Sequence, residues 1–246
     1  MLEESDQSFL SLNAAEGAGR RAMVVGLGAS GRASAVYLLR AGWRVAVRDT
    51  REAPAGADAF RAAHPEVELH LGGLPDEAPE GTDLIVMSPG VSPHAGAAAA
   101  LCASAAEKGV PVIGEIELFA QHLAHLRRTR GYAPKVIGIT GTNGKTTTTT
   151  LTTRILEAAG RNAVAAGNLG PNAVTELLKA EDAGALPDAW VLELSSFQLD
   201  TTHTLACDAA ALLNITEDHL DWHGSMEAYA AAKGRIFAPS TVRVGN

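Results

Sequence analysis

The chain has 246 residues, of which 46% are hydrophobic and 20% charged; that is enough for one large domain or two modest ones, and too apolar for intrinsic disorder. A formal net charge of -8 excludes a nucleic-acid binder held by phosphate neutralisation, while local basic pockets for small anions stay open. Two cysteines, Cys102 and Cys207, form no CxxC pair, which speaks against a disulfide framework or zinc site and fits a reducing, cytoplasmic setting.

Residues 1–21 read as a loose polar leader without the apolar core of a secretory signal. No stretch approaches the roughly 18 consecutive apolar residues of a membrane span, so no membrane partner is expected. Ala22–Gly26 reads as a buried strand, followed by a glycine turn and a helix over Gly31–Ala41. Strands at Trp43–Arg48, Asp83–Met87 and Val110–Ile113 follow, with an alanine-rich helix at Ala95–Lys108. Continuous apolar strands separated by helices predict an α/β fold with parallel sheets and right-handed crossovers. Residues around 114–134 read as an inter-domain connector whose Arg127, Arg128 and Arg130 form a solvated face. A second series has strands at Lys135–Ile139, Val164–Ala166, Trp190–Leu194, Ala210–Ile215 and Thr241–Val244. The expected division is residues 1–114 and 115–246.

Four motifs carry chemistry. The first is Thr140-Gly141-Thr142-Asn143-Gly144-Lys145-Thr146, between a strand and a helix. Its glycines let backbone N–H groups turn toward a phosphate, Lys145 would reach the β/γ-phosphates and the Thr146 hydroxyl would bind Mg²⁺. Ile139 stands where GxxxxGK[ST] has its first glycine, so this is a variant nucleotide loop. For Thr147–Thr150 the plainer reading is back-bonding to the preceding turn, with Thr147 also a candidate for the site.

The second motif is Gly26-Leu27-Gly28-Ala29-Ser30-Gly31, with Asp49 closing the next strand 21 residues beyond Gly28. That is dinucleotide-fingerprint spacing, and it equally suits a Rossmann-like domain for another phosphate-bearing nucleotide. Ser88-Pro89-Gly90 ends a later strand and would face the same crevice. The third motif places Glu193 at the end of an apolar strand, where a carboxylate binds Mg²⁺ or pairs structurally. The fourth, Asn214 to His223, is dense in acids and histidines but lacks the HExxH glutamate, so a zinc protease is disfavoured. Of its histidines, His219 suits a site near the phosphates and His223 reads as a surface residue. On composition alone, Lys233 is an ordinary exposed helix lysine.

In order, TGTNGKTT, AAGNLG, LELSSFQL, NITEDHLDWH and YAAAKGRIF resemble the Mur ligase family, from about Ala22 to the chain end. The resemblance implies a Rossmann-like UDP-substrate domain followed by a P-loop-type ATPase domain incomplete at its C-terminus. It implies Ala29 and Ser30 in the phosphate loop, Asp49, Thr50 and Arg51 near the uridine, and Ser88, Pro89 and Gly90 along the same crevice. Gly141, Thr142, Asn143, Gly144, Lys145, Thr146 and Thr147 would bind ATP. Thr146 and Glu193 would serve one Mg²⁺, His219 and a carbamylated Lys233 a second, and Asn168 the muramoyl-peptide substrate. Lys145, His219 and Lys233 would be catalytic. The implied partners are UDP-N-acetylmuramoyl-L-alanine and D-glutamate, without nucleic acid, with the protein a monomer. Family ligases carry a third domain, and no residues remain for it before Asn246. The isolated chain is therefore expected to bind the UDP-substrate and to ligate poorly or not at all. Two other readings are an NAD-dependent oxidoreductase, resting on GLGASG and Asp49, and a non-catalytic nucleotide-binding relative.

Overall fold

A computed structural model describes residues 17–168 and 170–245; most of the leader read at 1–21 lies outside them. The first half builds a five-stranded parallel sheet from β1 (Arg21–Val25), β2 (Arg44–Asp49), β3 (Glu68–Leu71), β4 (Leu84–Met87) and β5 (Val112–Gly114). Its order is β3-β2-β1-β4-β5. The chain reverses direction across the sheet between β1 and β4, and that reversal opens a crevice at the carboxyl ends of these two strands.

The apolar runs are continuous because both faces of this sheet are covered. Ala22 and Val24 of β1 join one core cluster, and Met23 and Val25 join another. Helices α1 (Ala29–Arg40), α2 (Ala57–Ala63) and α3 (Gly96–Glu107) complete this half.

The second half repeats the plan with β6 (Lys135–Thr140), β7 (Ala163–Gly167), β8 (Ala189–Glu193), β9 (Ala209–Leu212) and β10 (Val242–Gly245), in the order β10-β9-β6-β8-β7, all parallel. Helices α5 (Lys145–Ala158), α6 (Ala173–Asp182), α7 (Ser196–Asp200), α8 (Leu220–His223) and α9 (Met226–Gly234) accompany it. The two sheets make an α/β fold.

The segment read as a connector is α4 (Glu115–Arg130), and it is a core element. Ile116, Leu118, Phe119, Leu123 and Leu126 are buried in one apolar cluster with Val24 and Val45 of the first sheet and Trp190 and Leu192 of the second. Phe119 meets Trp190 edge-on at 5.1 Å between ring centroids. Glu115 and Glu117 in its first turn and Arg127, Arg128 and Arg130 in its last match the helix dipole. Those arginines are exposed, as the charge pattern predicts. β3, α2, α6 and the short helices α7 and α8 have no counterpart among the predicted elements. The strand predicted from Val110 begins two residues later, at Val112. No helix among the described residues is long and apolar enough to cross a membrane.

Candidate nucleotide and substrate site

The loop after β1 enters α1 under tight packing. A Cβ on Gly31 would collide with the carbonyl of Gly26, so only glycine lets the helix start this close to the strand. Ser88, just past β4, donates its hydroxyl to the Gly26 carbonyl at 3.1 Å and so fastens the two sides of the crevice. The resulting cavity of about 410 Å³ is lined by all eight residues expected there: Ala29, Ser30, Asp49, Thr50, Arg51, Ser88, Pro89 and Gly90.

Asp49 is buried, and both its oxygens are engaged. Oδ2 accepts from the Leu27 N–H at 2.7 Å and from Arg51 Nη2 at 2.7 Å; Oδ1 accepts from the Arg51 N–H and Nε. The Arg51 guanidinium, with the two backbone donors, holds this carboxyl down at about 2. The carboxylate therefore braces the glycine loop and keeps the Arg51 side chain, which is more than half exposed, at the crevice mouth.

In the second sheet the TGTNGKT loop follows β6, between β8 on one side and β9 on the other. It is clamped by residues that the sequence reading did not single out as site residues. The Asn214 side chain accepts from the Asn143 N–H at 2.9 Å and donates back to the Asn143 carbonyl at 3.1 Å. The Thr142 hydroxyl accepts from the Thr216 N–H and lies 3.0 Å from the Tyr229 hydroxyl. Lys145 Nζ donates to the carbonyls of Gly141 and Thr142 at 3.0 and 2.9 Å. Thr146 and Thr147 are exposed in the first turn of α5. Thr148 back-bonds to the Gly144 carbonyl as predicted. Thr149 departs from that prediction: its hydroxyl is buried with no partner among the described residues.

Glu193 closes β8, in register with Ile139 of β6 and Gly167 of β7. It is 4% exposed and accepts from Asn168 Nδ2 at 3.0 Å. Among the described residues no ion pair joins it to a cationic side chain.

Lys233 corrects the composition-based expectation. It is only 2% exposed, its Nζ donates to the Gly141 carbonyl at 2.9 Å, and it lies over the Tyr229 ring at 4.7 Å. Burial, and then the charge of Lys145, push its ammonium down to about 8, against a smaller opposing pull from Asp218.

His223, read as a surface residue, is only partly exposed. It is half-buried, lies 2.9 Å from the Ser196 hydroxyl and stacks on Phe197; burial lowers its pKa. His219 is exposed and sits at the entry to α8 with φ of 52°, a left-handed conformation uncommon for a side-chain-bearing residue. Its ring is 4.7 Å from Phe197 and 6.2 Å from Tyr229. Tyr229 thus neighbours both His219 and Lys233. Among the described residues no cluster of three or more His, Cys, Asp or Glu side chains forms a ready metal cage.

The two sites are joined by contacts between the halves of the chain. Asn172 Nδ2 donates to Ser30 Oγ at 3.1 Å, and His94 Nε2 lies 2.6 Å from Asp200. Residues 20–114, which hold the first crevice, match the family model of the Mur ligase MurD-like N-terminal domain, and residues 139–243, which hold the glycine–lysine loop, match that of the Mur ligase middle domain. The chain belongs to the Mur ligase family. Mur ligases are ATP-dependent.

This Mur ligase chain is 58% identical over 224 residues to the UDP-N-acetylmuramoylalanine–D-glutamate ligase of Ralstonia nicotianae, covering 91% of this chain and 45% of that protein. It is 56% identical over 225 residues to the enzyme of the same name from Burkholderia mallei, covering 91% and 44%. The chain spans about half the length of the curated relatives it matches. Among solved structures, it is similar to the MurF ligase from Thermotoga maritima in complex with ADP, with a TM-score of 0.44 at 17% identity over 96% of this chain and 44% of that one.

Proposed function

We propose that the protein acts in ATP-dependent amide-bond formation, joining D-glutamate to UDP-N-acetylmuramoyl-L-alanine in peptidoglycan biosynthesis. It would work in the cytoplasm as a monomer. Residues 1–114 would take the UDP-substrate and residues 115–246 would take ATP. The observation that carries this reading is the convergence of Lys145 and Lys233 on the Gly141 carbonyl, one β-strand away from the buried carboxylate of Glu193. Cations poised on a glycine loop beside a lone buried carboxylate suit a nucleotide polyphosphate and a divalent ion far better than they suit hydride transfer.

In the chemistry proposed, the L-alanine carboxylate of the substrate attacks the γ-phosphorus of ATP, giving an acyl phosphate and ADP. The amine of D-glutamate then attacks the acyl carbon; the amide C–N bond forms, the C–O bond to phosphate breaks, and the amine gives up a proton. Carboxylates acylate poorly, so phosphorylation supplies the leaving group. Lys145 holds the transferring phosphate and the loop N–H groups orient it. Ala29, Ser30 and the Ser88–Gly90 turn hold the diphosphate end, Asp49, Thr50 and Arg51 the uridine end, and Asn168 the muramoyl-peptide arm.

The residues fit Mg²⁺ on donor chemistry. Glu193 and the Thr146 hydroxyl are hard oxygen donors, and Glu193 is buried against only a neutral amide. Mg²⁺ held there would neutralise charge on the transferring phosphoryl group. As an amine Lys233 is no such donor. Its lowered pKa raises the fraction of neutral amine that captures CO₂, and the resulting carbamate would supply anionic oxygen beside His219 for a second ion.

The test is phosphate release from ATP in a protein of the relatives' full length that contains this chain. Release that requires UDP-N-acetylmuramoyl-L-alanine and D-glutamate together, with L-glutamate inactive, supports the proposal. Release indifferent to either substrate refutes it.

A further inference from the structure

Asn172 holds the N-cap position of α6, with φ of -61° and ψ of 140°, yet its side chain makes no capping bond. That task falls to Glu115 of α4, whose Oε1 accepts from the Val174 N–H at 2.8 Å. The Asn172 amide is thereby released to reach across to the other half of the chain, where Nδ2 donates to Ser30 Oγ in the GLGASG loop. Both ends of this reach are anchored. Arg40, at the end of α1, makes a two-point pair with Asp182, at the end of α6, at 2.8 and 2.6 Å. Asn168, at the start of the same loop, is fixed on Glu193.

A hydroxyl has one proton to give and two lone pairs to receive. With the Asn172 amide on a lone pair, Ser30 keeps its proton for an anionic oxygen in the crevice. We propose that Asn172 is a positioning residue of the diphosphate subsite, supplied by the half of the chain that binds ATP, and that it makes the crevice prefer a nucleoside diphosphate over a monophosphate. This rests on the reading of that crevice as the UDP-substrate site.

The experiment is calorimetric titration of this chain with uridine, UMP and UDP. It uses the wild type, Asn172→Ala, Asn172→Asp, Ser30→Ala and the Ser30→Ala/Asn172→Ala double variant. The expected result for Asn172→Ala is a loss of about 5–10-fold in UDP affinity, uridine affinity within about twofold, and an unchanged melting midpoint. Asn172→Asp weakens UDP further, because it sets a carboxylate against the diphosphate. The double variant loses less than the product of the two single losses, since both residues act through one hydroxyl. Unchanged UDP affinity in Asn172→Ala, or a loss for UMP or uridine equal to that for UDP, overturns the inference. A wild type that binds UDP no better than uridine overturns the reading of the crevice itself, and this inference with it.

Discussion

Lys145 and Lys233, from different helices, donate to the same carbonyl oxygen, that of Gly141. Two ammonium groups on one neutral acceptor repel each other, and burial together with that repulsion lowers the pKa of Lys233. An arriving polyphosphate relieves that repulsion, so the loop is electrostatically prepared for anions despite the chain's net charge of -8. Lys145→Ala is expected to weaken ATP binding while leaving adenosine binding within about twofold, and to lower turnover by about 100–1,000-fold. Lys233→Ala is expected to abolish turnover while ATP binding persists. Titration calorimetry and phosphate release in a full-length protein measure both; unchanged turnover in Lys233→Ala sinks its assignment.

Gly167 is the residue that lets Glu193 sit where it does. Its φ is 114°, and a Cβ there would run into the backbone carbonyl of Glu193 on the neighbouring strand. Gly167→Ala must therefore both strain the backbone and push β7 away from β8. The expected cost is roughly 2–3 kcal/mol, seen as a melting midpoint lower by about 5–10 °C. The displacement is also expected to break the Asn168–Glu193 contact, and with it to weaken the divalent-ion binding proposed at Glu193. An alanine variant as stable as wild type would show that the strand spacing is less constrained than the geometry says.

The framework and the loops were legible because their signals are local. Met23 to Val25 and Val191 to Leu192 are continuous apolar runs, as strands covered on both faces must be, and the glycine–lysine loop announces itself by spacing. What escaped depends on tertiary placement. Lys233 lies in an alanine-rich helix with no sequence mark of burial; only Tyr229, four residues earlier on the same face, hints at its cation–π partner. Asn214 was visible only as the start of NITEDH, and nothing in its neighbours says that it clamps Asn143, 71 residues away. The burial of 115–130 was not legible because polar residues in that stretch, Glu115, Glu117 and Gln121, are buried and so dilute an otherwise apolar helix.

Glu115 gives stability a pH dependence between about pH 4.5 and 7. It is fully enclosed, with Oε1 capping α6 and Oε2 buried without a partner among the described residues. Burial pushes its carboxyl up to about 7 from an ordinary 4.5, against the opposing pull of the Val174 and Ala173 N–H groups. A raised acid binds its proton more tightly folded than unfolded. Folding is therefore unpenalised below about pH 4.5, loses stability as pH rises toward 7, and carries the full cost above it. That cost is about 3 kcal/mol. Glu115→Gln keeps an acceptor for the Val174 N–H and carries no charge. It is expected to leave stability near pH 4.5 unchanged and to raise it at pH 8 by up to that amount. Urea unfolding at the two pH values measures the difference. Equal stability changes at both, or a destabilised variant at pH 8, would show that the carboxylate is held charged by its helix cap instead.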